Sequence, residues 1–410
     1  MTIPSDLLQG KNILLGVSGS IAVYKSLELV RLYVKAGATV KVVMSEAAKK
    51  FVTPLTFETL SSQEVLDDTN ESWVSEHNHI KSSQGCDIFV VAPATANTMA
   101  KLANGIADTM LLQCALATTK KTLLAPSANT HMLYNPATQE NIQKLRQRGF
   151  VFLGTQTKEL ACKTEGDGAM AEPIDIFWAT AKELLRDDFW SGRGVIISGG
   201  GTVEKIDEVR YISNFSSGKM AASLATALYC KGADVTLVAT RGYEDAPSAV
   251  KNVLVSSSKE MFNSLQKELQ NLHMHNQKHS YLFMAAAVSD YIPKPQSGKL
   301  KKEQLGSSMT LTMDENIDIL SSLEKTGTLC VGFKAEMDAA TAIQSAKKML
   351  HKKALDAVCL NVLKDASSFG SEHNAVEFIT QNETHSITQD TKLNIAFSIA
   401  QRAKLLEQKV

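Results

Sequence analysis

The feature that most limits the fold is a block that occurs twice. Asn12-Ile-Leu-Leu-Gly-Val17 is an apolar run that ends in Ser18-Gly19-Ser20; an amphipathic stretch follows over 21–35, Gly37 stops it, and Thr39-Val-Lys-Val-Val-Met44 is apolar again. Near the middle of the chain the pattern begins afresh. Gly194-Val-Ile-Ile-Ser198 runs into Gly199-Gly200-Gly201 and a polar loop, then a helical stretch over 217–231 is stopped by Gly232 and followed by Asp234-Val-Thr-Leu-Val-Ala239. A short β-branched run, then glycines, then helical periodicity reads as strand, tight turn and helix, and the return to an apolar run closes a strand–helix–strand unit. The helix exits echo one another, Ala36-Gly-Ala-Thr-Val40 against Lys231-Gly-Ala-Asp-Val235.

Two α/β domains follow, 1–190 and 191–410, with the boundary in the charged stretch 186–193. At roughly 150 residues per domain, the length suits two or three domains. Further buried strands are expected over 87–92, 121–125 and 150–153 in the first half, and over 281–286, 330–333 and 356–360 in the second. Strands alternating with helices predict two doubly wound, Rossmann-like domains, each a parallel sheet with helices on both faces. Ligands in such sheets sit at the carboxyl ends of the strands, where the strand order reverses.

Composition narrows the function. Lys+Arg and Asp+Glu both number 43, so the net charge is zero and there is no general pull towards nucleic acid or an anionic membrane. No run of about 18 apolar residues occurs, and the first residues lack the basic start and apolar stretch of a signal peptide. The six cysteines, Cys86, Cys114, Cys162, Cys230, Cys330 and Cys359, are far apart with no CxxC pair, which predicts reduced thiols and no zinc site. A cytoplasmic chain is expected. His273, His275 and His279 lie in a polar stretch before a strand and are expected to be solvated loop residues.

In the first half, Gly16-Val-Ser-Gly-Ser-Ile-Ala-Val-Tyr-Lys25 lies where a strand becomes a helix, so free N–H groups and the Ser18 and Ser20 hydroxyls could hold a phosphate. The plainer reading is a tight turn without ligand. Neither the P-loop nor the Gly-x-Gly-x-x-Gly spacing is present. Ala92-Pro-Ala-Thr-Ala-Asn-Thr98 and Ala125-Pro-Ser-Ala-Asn-Thr-His-Met132 each follow a strand; Ala161-Cys-Lys-Thr-Glu-Gly-Asp-Gly-Ala-Met170 is expected to be a mobile loop, and Asn78-His79-Ile80 precedes the third strand. Singly, Asn129 reads as a turn former, Cys162 as a spectator thiol and His79 as a surface residue.

Taken in order, Gly19-Ser-Ile-Ala-Val-Tyr-Lys25, His79, Pro93-Ala-Thr-Ala-Asn97, Gly105-Ile-Ala-Asp108, Asn129 with Met132, and Ala161-Cys162 resemble the homo-oligomeric flavin-containing cysteine decarboxylases, specifically phosphopantothenoylcysteine decarboxylase, over about residues 10–185. The resemblance implies FMN, its phosphate on Ser18, Gly19, Ser20 and Ile21 and its ring near Ala94, Thr95 and Asn97, with Ser45 also in the cofactor site. It implies that hydride loss from the carbon bearing sulfur makes a thioaldehyde, which accepts the electrons left when carbon dioxide departs; the hydride then returns. By resemblance His79 serves the decarboxylation, Asn129 grips the substrate carboxylate, Met132 contacts substrate, and Cys162 donates a proton in the final reduction. Ala128, Lys163 and Ala169 stand where that family usually has Met, Gly and Arg.

In the second half, the polar loop between Gly201 and Lys219 carries Arg210, Asn214 and Ser216-Ser-Gly-Lys219 into a helix start, where N–H groups favour phosphate; a capped helix with a surface loop is the plainer reading. With Ala285-Ala-Ala-Val-Ser-Asp290-Tyr291, Lys299-Leu-Lys301-Lys302, Val331-Gly-Phe333 and Phe369-Gly-Ser-Glu-His-Asn374, this stretch resembles phosphopantothenate–cysteine ligase over about residues 193–405. The resemblance implies CTP and Mg²⁺, an acyl-cytidylate, and attack by the cysteine amine. By resemblance Asn214 holds the acyl intermediate, Arg210 contacts substrate, and Lys301 assists conversion of the intermediate, while Asp290, Lys299, Phe333 and Lys353 form the CTP pocket; no metal ligand is assigned. Val203, Met349 and Val362 depart from the usual Arg, Lys and Asp. The whole chain thus resembles the bifunctional coenzyme A biosynthesis family, whose relatives imply trimer-based shells, up to dodecamers, with ligase dimers. A chain active only as a ligase, its flavin half kept for assembly, is the alternative that Ala128 and Ala169 motivate.

Overall fold

The computed structural model describes residues 3–159, 165–243, 246–275, 278–301, 308–363 and 370–407. It divides into two compact units, Ile3–Leu185 and Arg186–Val410.

In the first unit, strands β1 (Asn12–Val17), β2 (Thr39–Met44), β3 (Ile88–Ala94), β4 (Thr122–Pro126) and β5 (Val151–Phe152) form one parallel sheet in the order β2-β1-β3-β4-β5. β3 and β4 are buried at every residue because helices cover both faces. On one face Tyr33, in the helix Val23–Lys35, shares a 2.7 Å hydrogen bond with Thr180 of the helix Pro173–Leu185. Complete burial pushes the Tyr33 phenol well above its ordinary value, so it stays neutral. On the other face Met99, Leu102, Leu111 and Leu112 pack on Phe89 and Leu124.

Beyond β5 the chain turns into an antiparallel hairpin, β6 (Gln156–Glu159) with β7 (Glu165–Ala169). The mobile loop expected over 161–170 is therefore partly strand. Its ladder offers too little apolar alternation to be legible locally, because its residues are polar, Gly or Ala and only one of them is buried. Ala161, Cys162 and Lys163 lie outside the described residues.

The second unit is built on an eight-stranded sheet: β8 (Gly194–Gly199), a short pair β9 (Val203–Lys205) and β10 (Tyr211–Ser213) beside it, then β11 (Asp234–Ala239), β12 (Lys251–Leu254) and β13 (Ser280–Met284). After a second short pair, β14 (Tyr291–Pro293) and β15 (Met313–Glu315), the sheet continues with β16 (Thr328–Glu336), β17 (Ala357–Val362), β18 (His373–Ile379) and β19 (Thr384–Thr391). Its order is β12-β11-β8-β13-β16-β17-β18-β19, parallel as far as β17 and antiparallel at the last two strands. Counted along the chain, the six parallel strands follow the Rossmann order 3-2-1-4-5-6. The helix Lys219–Cys230 is buried from Ala221 to its end because it lies between this sheet and the helix Lys392–Lys404.

His279 is exposed in the loop before β13, as expected, and His273 is exposed too, but His273 and His275 belong to a helix rather than a loop. The helix Ser258–His275 runs through His273, whose Nε2 lies 3.0 Å from the Thr328 hydroxyl, and His279 Nδ1 is 3.4 Å from the Gly327 carbonyl oxygen. The polar outer face of a long helix has the composition of a loop.

Candidate active sites

The order β2-β1-β3-β4-β5 reverses between β1 and β3, which opens a crevice at their carboxyl ends. The turn after β1 is held there by Ser18. Its hydroxyl donates to the Pro93 carbonyl at 2.7 Å and accepts from the Thr95 N–H at 3.1 Å. With 1% of its surface exposed, Ser18 is committed to tying the two strand ends together. Gly19 then passes so close to the next layer that a Cβ there would sit 2.4 Å from the Ala47 Cβ. Thr95 caps the helix Ala96–Ala103 and Ser45 caps the helix Glu46–Lys49, so both strand ends deliver hydroxyls beside the turn.

A cavity of about 470 Å³ results, lined among others by Gly19, Ser20, Ser45, Thr95, Asn97 and Met132. A second, of about 720 Å³, shares Ser20, Ser127 and Ala128 with it and continues past Ile21, Tyr24, Lys25, Asn129 and Lys158. Ser20 and Ser127 join the two cavities through a 3.0 Å contact between their hydroxyls. Asn129 caps the short helix Thr130–Leu133, its side-chain oxygen accepting from the His131 N–H.

The β6–β7 hairpin is docked on this segment. The Ala128 N–H donates to the Gly168 carbonyl at 3.0 Å, the Thr130 hydroxyl donates to the Asp167 carbonyl at 2.6 Å, and the Tyr134 hydroxyl donates to the Asp167 carboxylate. Hydrogen bonds from Thr155 and Tyr134 hold the Asp167 carboxyl below its usual range. At the far wall Lys25 donates to the Met170 carbonyl and to Glu172, which also pairs with Lys158. Burial pushes the Glu172 carboxyl up, but the two ammonium groups outweigh it and hold it low. Two cations thus share one carboxylate beside Asn129, and Glu28 and Glu159 line the same cavity. Lys158, Glu172 and Ser127 carried no role in the sequence reading. Lys158 lies in a polar stretch and Glu172 is a lone carboxylate among apolar residues, and only the tertiary fold brings them to the cavity that Asn129 lines.

His79 stands apart from both linings. It opens the helix His79–Gln84, its Nδ1 is 2.7 Å from Glu71 Oε1, and its ring lies edge-on to Trp73 at 5.8 Å. Ala94 is fully buried in β3.

In the second unit the order reverses between β8 and β13. The glycine turn after β8 is zipped to the segment after β13: the Ala287 N–H donates to the Gly200 carbonyl, the Thr202 N–H to the Ala287 carbonyl, and the Ser289 N–H to the Thr202 hydroxyl. The Asn214 backbone crosses this turn, its carbonyl oxygen 2.6 Å from where a Gly201 Cβ would stand. Asn316 joins Asp290, its N–H donating to the Asp290 carbonyl at 2.8 Å and its amide to the Ser289 carbonyl at 2.7 Å. Two residues on, Asp318 pairs with Lys353 at 3.1 Å. Asp290, Asn316, Asp318 and Lys353 therefore form one connected rim; Asn316 and Asp318 are additions that sequence reading missed. Phe333 is half-buried in β16. Arg210 donates to the Leu300 carbonyl at 2.8 Å, which brings it to the segment carrying Lys299 and Lys301. Lys219 pairs with Glu372 and donates to the Gly370 carbonyl.

The comparisons with known proteins match each unit separately and then the whole. Residues 1–185 match the Flavoprotein family model, and residues 190–406 match the DNA/pantothenate metabolism flavoprotein C-terminal domain. The coenzyme A biosynthesis bifunctional protein CoaBC of Vibrio cholerae is 37% identical over 398 residues, covering 96% of this chain and 97% of its own. The chain belongs to the CoaBC family. The Bacillus subtilis member is also 37% identical, over 410 residues and 98% of both chains. Among solved structures, the C-terminal domain of a CoaBC protein is 26% identical, covering 55% of this chain and 100% of its own with a TM-score of 0.44. A mutant PPC decarboxylase complexed with pantothenoylaminoethenethiol is 31% identical over 42% of this chain and 96% of its own, with a TM-score of 0.38. As a CoaBC member the chain is a bifunctional enzyme of coenzyme A biosynthesis, with a flavoprotein decarboxylase half and a ligase half. No helix among the described residues is long and apolar enough to cross a membrane.

Proposed function

We propose that the second unit, functionally residues 191–410, couples 4′-phosphopantothenate to L-cysteine with CTP and Mg²⁺. The first, 1–190, then decarboxylates 4′-phosphopantothenoyl-L-cysteine to 4′-phosphopantetheine with FMN. The observation that carries the reading is the presence, on one chain, of two sheets whose parallel strands reverse order, with Gly19, Ser20, Ser45, Thr95 and Asn97 lining a cavity at the first reversal.

The donors fit a flavin mononucleotide. Gly19, Ser20, Ser45, Thr95 and Asn97 line a crevice at the switch point of a 2-1-3-4-5 sheet, the place where flavodoxin-like folds hold FMN. Bound there, the flavin supplies reversible hydride transfer at the carbon bearing sulfur. Ser18 acts indirectly by fixing the turn, and Ile21 by covering the second cavity. Asn129 binds the substrate carboxylate and Met132 the substrate body. Cys162 delivers the final proton, and His79 serves the carbon dioxide step.

In the ligase half Arg210 binds phosphopantothenate, Asn214 holds the acyl-cytidylate, and Lys299 and Lys301 escort the triphosphate and the intermediate. Asp290, Phe333 and Lys353 form the nucleotide pocket. Mg²⁺ would be held chiefly by the triphosphate oxygens, with few protein ligands.

Ile21, Tyr24, Met132 and Tyr134 are each more than half exposed around the flavin-half cavities, which suits a trimer-based assembly, up to a dodecamer, with ligase dimers. Cys86, Cys114, Cys330 and Cys359 are buried free thiols, in keeping with a reducing compartment such as the cytoplasm.

A stepwise assay tests the reading. Purified chain should be yellow, should form the coupled product from phosphopantothenate, cysteine and CTP, and should carry it on to 4′-phosphopantetheine. Colourless protein that consumes no triphosphate overturns both halves, and ATP outperforming CTP overturns the nucleotide. Ala128 and Ala169, both lining the larger cavity, favour the second reading of a ligase alone; coupled product with no carbon dioxide release selects it.

A further inference from the structure

The Arg210 loop and the Lys299–Lys301 segment come from distant parts of the chain, yet one carboxylate joins them. Asp207 has no exposed side-chain surface. Its Oδ1 accepts from the Val209 N–H at 2.8 Å and the Arg210 N–H at 2.7 Å, closing its own turn. Its Oδ2 accepts from Arg210 Nε at 3.0 Å, from Arg210 Nη2 at 2.5 Å, and from the Leu300 N–H at 3.1 Å. Arg210 Nη2 then donates to the Leu300 carbonyl at 2.8 Å, so both backbone groups of the residue between Lys299 and Lys301 are taken. Two backbone bonds run alongside, from the Gln296 N–H to the Ile206 carbonyl and from the Glu208 N–H to the Gly298 carbonyl.

We propose that Asp207 is the positioning residue of the ligase site, setting the Arg210 guanidinium and the Lys299–Lys301 segment in one frame so that substrate and nucleotide charges are met together. The inference rests on the ligase roles given above to Arg210, Lys299 and Lys301. The division of labour between the two oxygens makes it specific. A surface ion pair orients little because its partners keep their freedom. Here one oxygen is committed to the turn and the other to the guanidinium fork and a second chain segment, so Arg210 is fixed at two nitrogens and free to present its remaining donor edge. The Arg210 fork, then the backbone donors, hold the Asp207 carboxyl far below the ordinary carboxylate range despite its burial, so the clamp stays charged through the physiological range.

Asp207→Asn is the informative variant. Whichever way the amide turns, its NH₂ faces N–H donors where an oxygen accepted, so one donor set loses its partner while the side-chain shape is kept. In the full chain, the variant is expected to raise KM for phosphopantothenate by about tenfold or more with a smaller change in kcat. Limited trypsin, read by mass spectrometry, should cut after Lys299 or Lys301 about tenfold faster. In an Arg210→Gln background the further effect of Asp207→Asn on KM should fall below about twofold, because the clamp acts through that side chain.

Asp207→Asn with KM and cleavage rate both within about twofold of the parent overturns the proposal. So does an equal effect on KM in both backgrounds, which a merely structural aspartate would give. Should Asp207→Asn melt early, Arg210→Gln alone must still speed cleavage at 299–301, and failure to do so overturns the proposal. A parent chain that makes no coupled product with any triphosphate sinks the ligase reading, while the trypsin result still judges the clamp.

Discussion

The two units open with the same strand, glycine turn and helix, and they put that turn to opposite uses. After β1 the turn is tight: Ser18 is locked to Pro93 and Thr95, and the helix begins at Val23. The groups that line the first cavity therefore come from the turn itself and from the ends of neighbouring strands. After β8 the chain runs on through β9, the Arg210 loop and β10 before the helix starts at Lys219. The glycine turn there is occupied by backbone, paired to Ala287 and crossed by Asn214, and the polar side chains come from the excursion. A compact turn suits a resident cofactor held by fixed groups. A turn with a long excursion suits substrates that must be gathered, joined and released.

The sharpest way to break this contrast is to disturb each turn alone. At Gly19 a Cβ would meet Ala47 at 2.4 Å and its backbone at 2.9 Å, and alanine has no flexible end to move aside. Gly19→Val should strip most of the flavin colour and lower decarboxylation by about a hundredfold, since a shift of about 1 Å suffices for that, while ligation persists. Retained colour and carbon dioxide release would show that the first turn is not part of the cofactor crevice.

Gly200 has φ +82°, and a Cβ there would sit 2.1 Å from the Thr240 hydroxyl oxygen. Gly200→Ala should strain the second turn by about 1–3 kcal/mol and lower ligation roughly tenfold, leaving the flavin spectrum unchanged. Loss of flavin in this variant would mean the two turns are not independent.

Smaller effects separate the units by the sign of their pH dependence. In the first unit Asp67 pairs with Lys49 at 2.7 Å. Burial pushes its carboxyl up, but Lys49 and Thr69 outweigh that and hold it below the ordinary range. The unfolded chain then takes up the proton first as pH falls, so the contribution is present above the ordinary carboxylate value and lost as pH falls through the depressed one. Asp67→Asn should cost about 1–3 kcal/mol at neutral pH and much less in acid, measured by denaturant melts across pH.

In the second unit burial raises the Asp356 carboxyl, which accepts from the Cys330 N–H at 2.7 Å. A raised folded value means the unfolded chain ionises first. The contribution is present below the ordinary value and lost as pH rises through the raised one. Asp356→Asn keeps an acceptor for Cys330, so at neutral pH it should change stability by less than about 1 kcal/mol, in the stabilising direction. A destabilisation matching that of Asp67→Asn would remove the contrast in sign.

The core strands were legible in the sequence because each is a short, continuous apolar run bounded by turns: β3 and β4 fall within one or two residues of 87–92 and 121–125, and β13 and β16 overlap 281–286 and 330–333. The β18–β19 hairpin was not, because Thr384–Thr391 is mostly exposed and carries a single buried residue, Ile387. The helix through His273 was hidden for a related reason, its polar face lying outermost. At the sites, the motif residues around Gly19, Thr95 and Asn129 were legible as an ordered set. Glu172, Asn316 and Asp207 were not, since each acquires a partner from another segment, Lys25, Ser289 and Leu300.

From the sequence alone came the doubled strand–turn–helix opening, the alternation that demands two parallel sheets, and the motifs that place the chain in its family. These are properties of neighbouring residues, and local periodicity and turn chemistry suffice to express them. Tertiary structure alone decided that one sheet runs 2-1-3-4-5 and the other 3-2-1-4-5-6 with a hairpin added, that Ser18 is used up tying its turn to the end of β3, and that a buried aspartate ties Arg210 to Leu300. Strand order and long-range hydrogen bonds depend on which distant segments bury one another. No window of neighbouring residues carries that information.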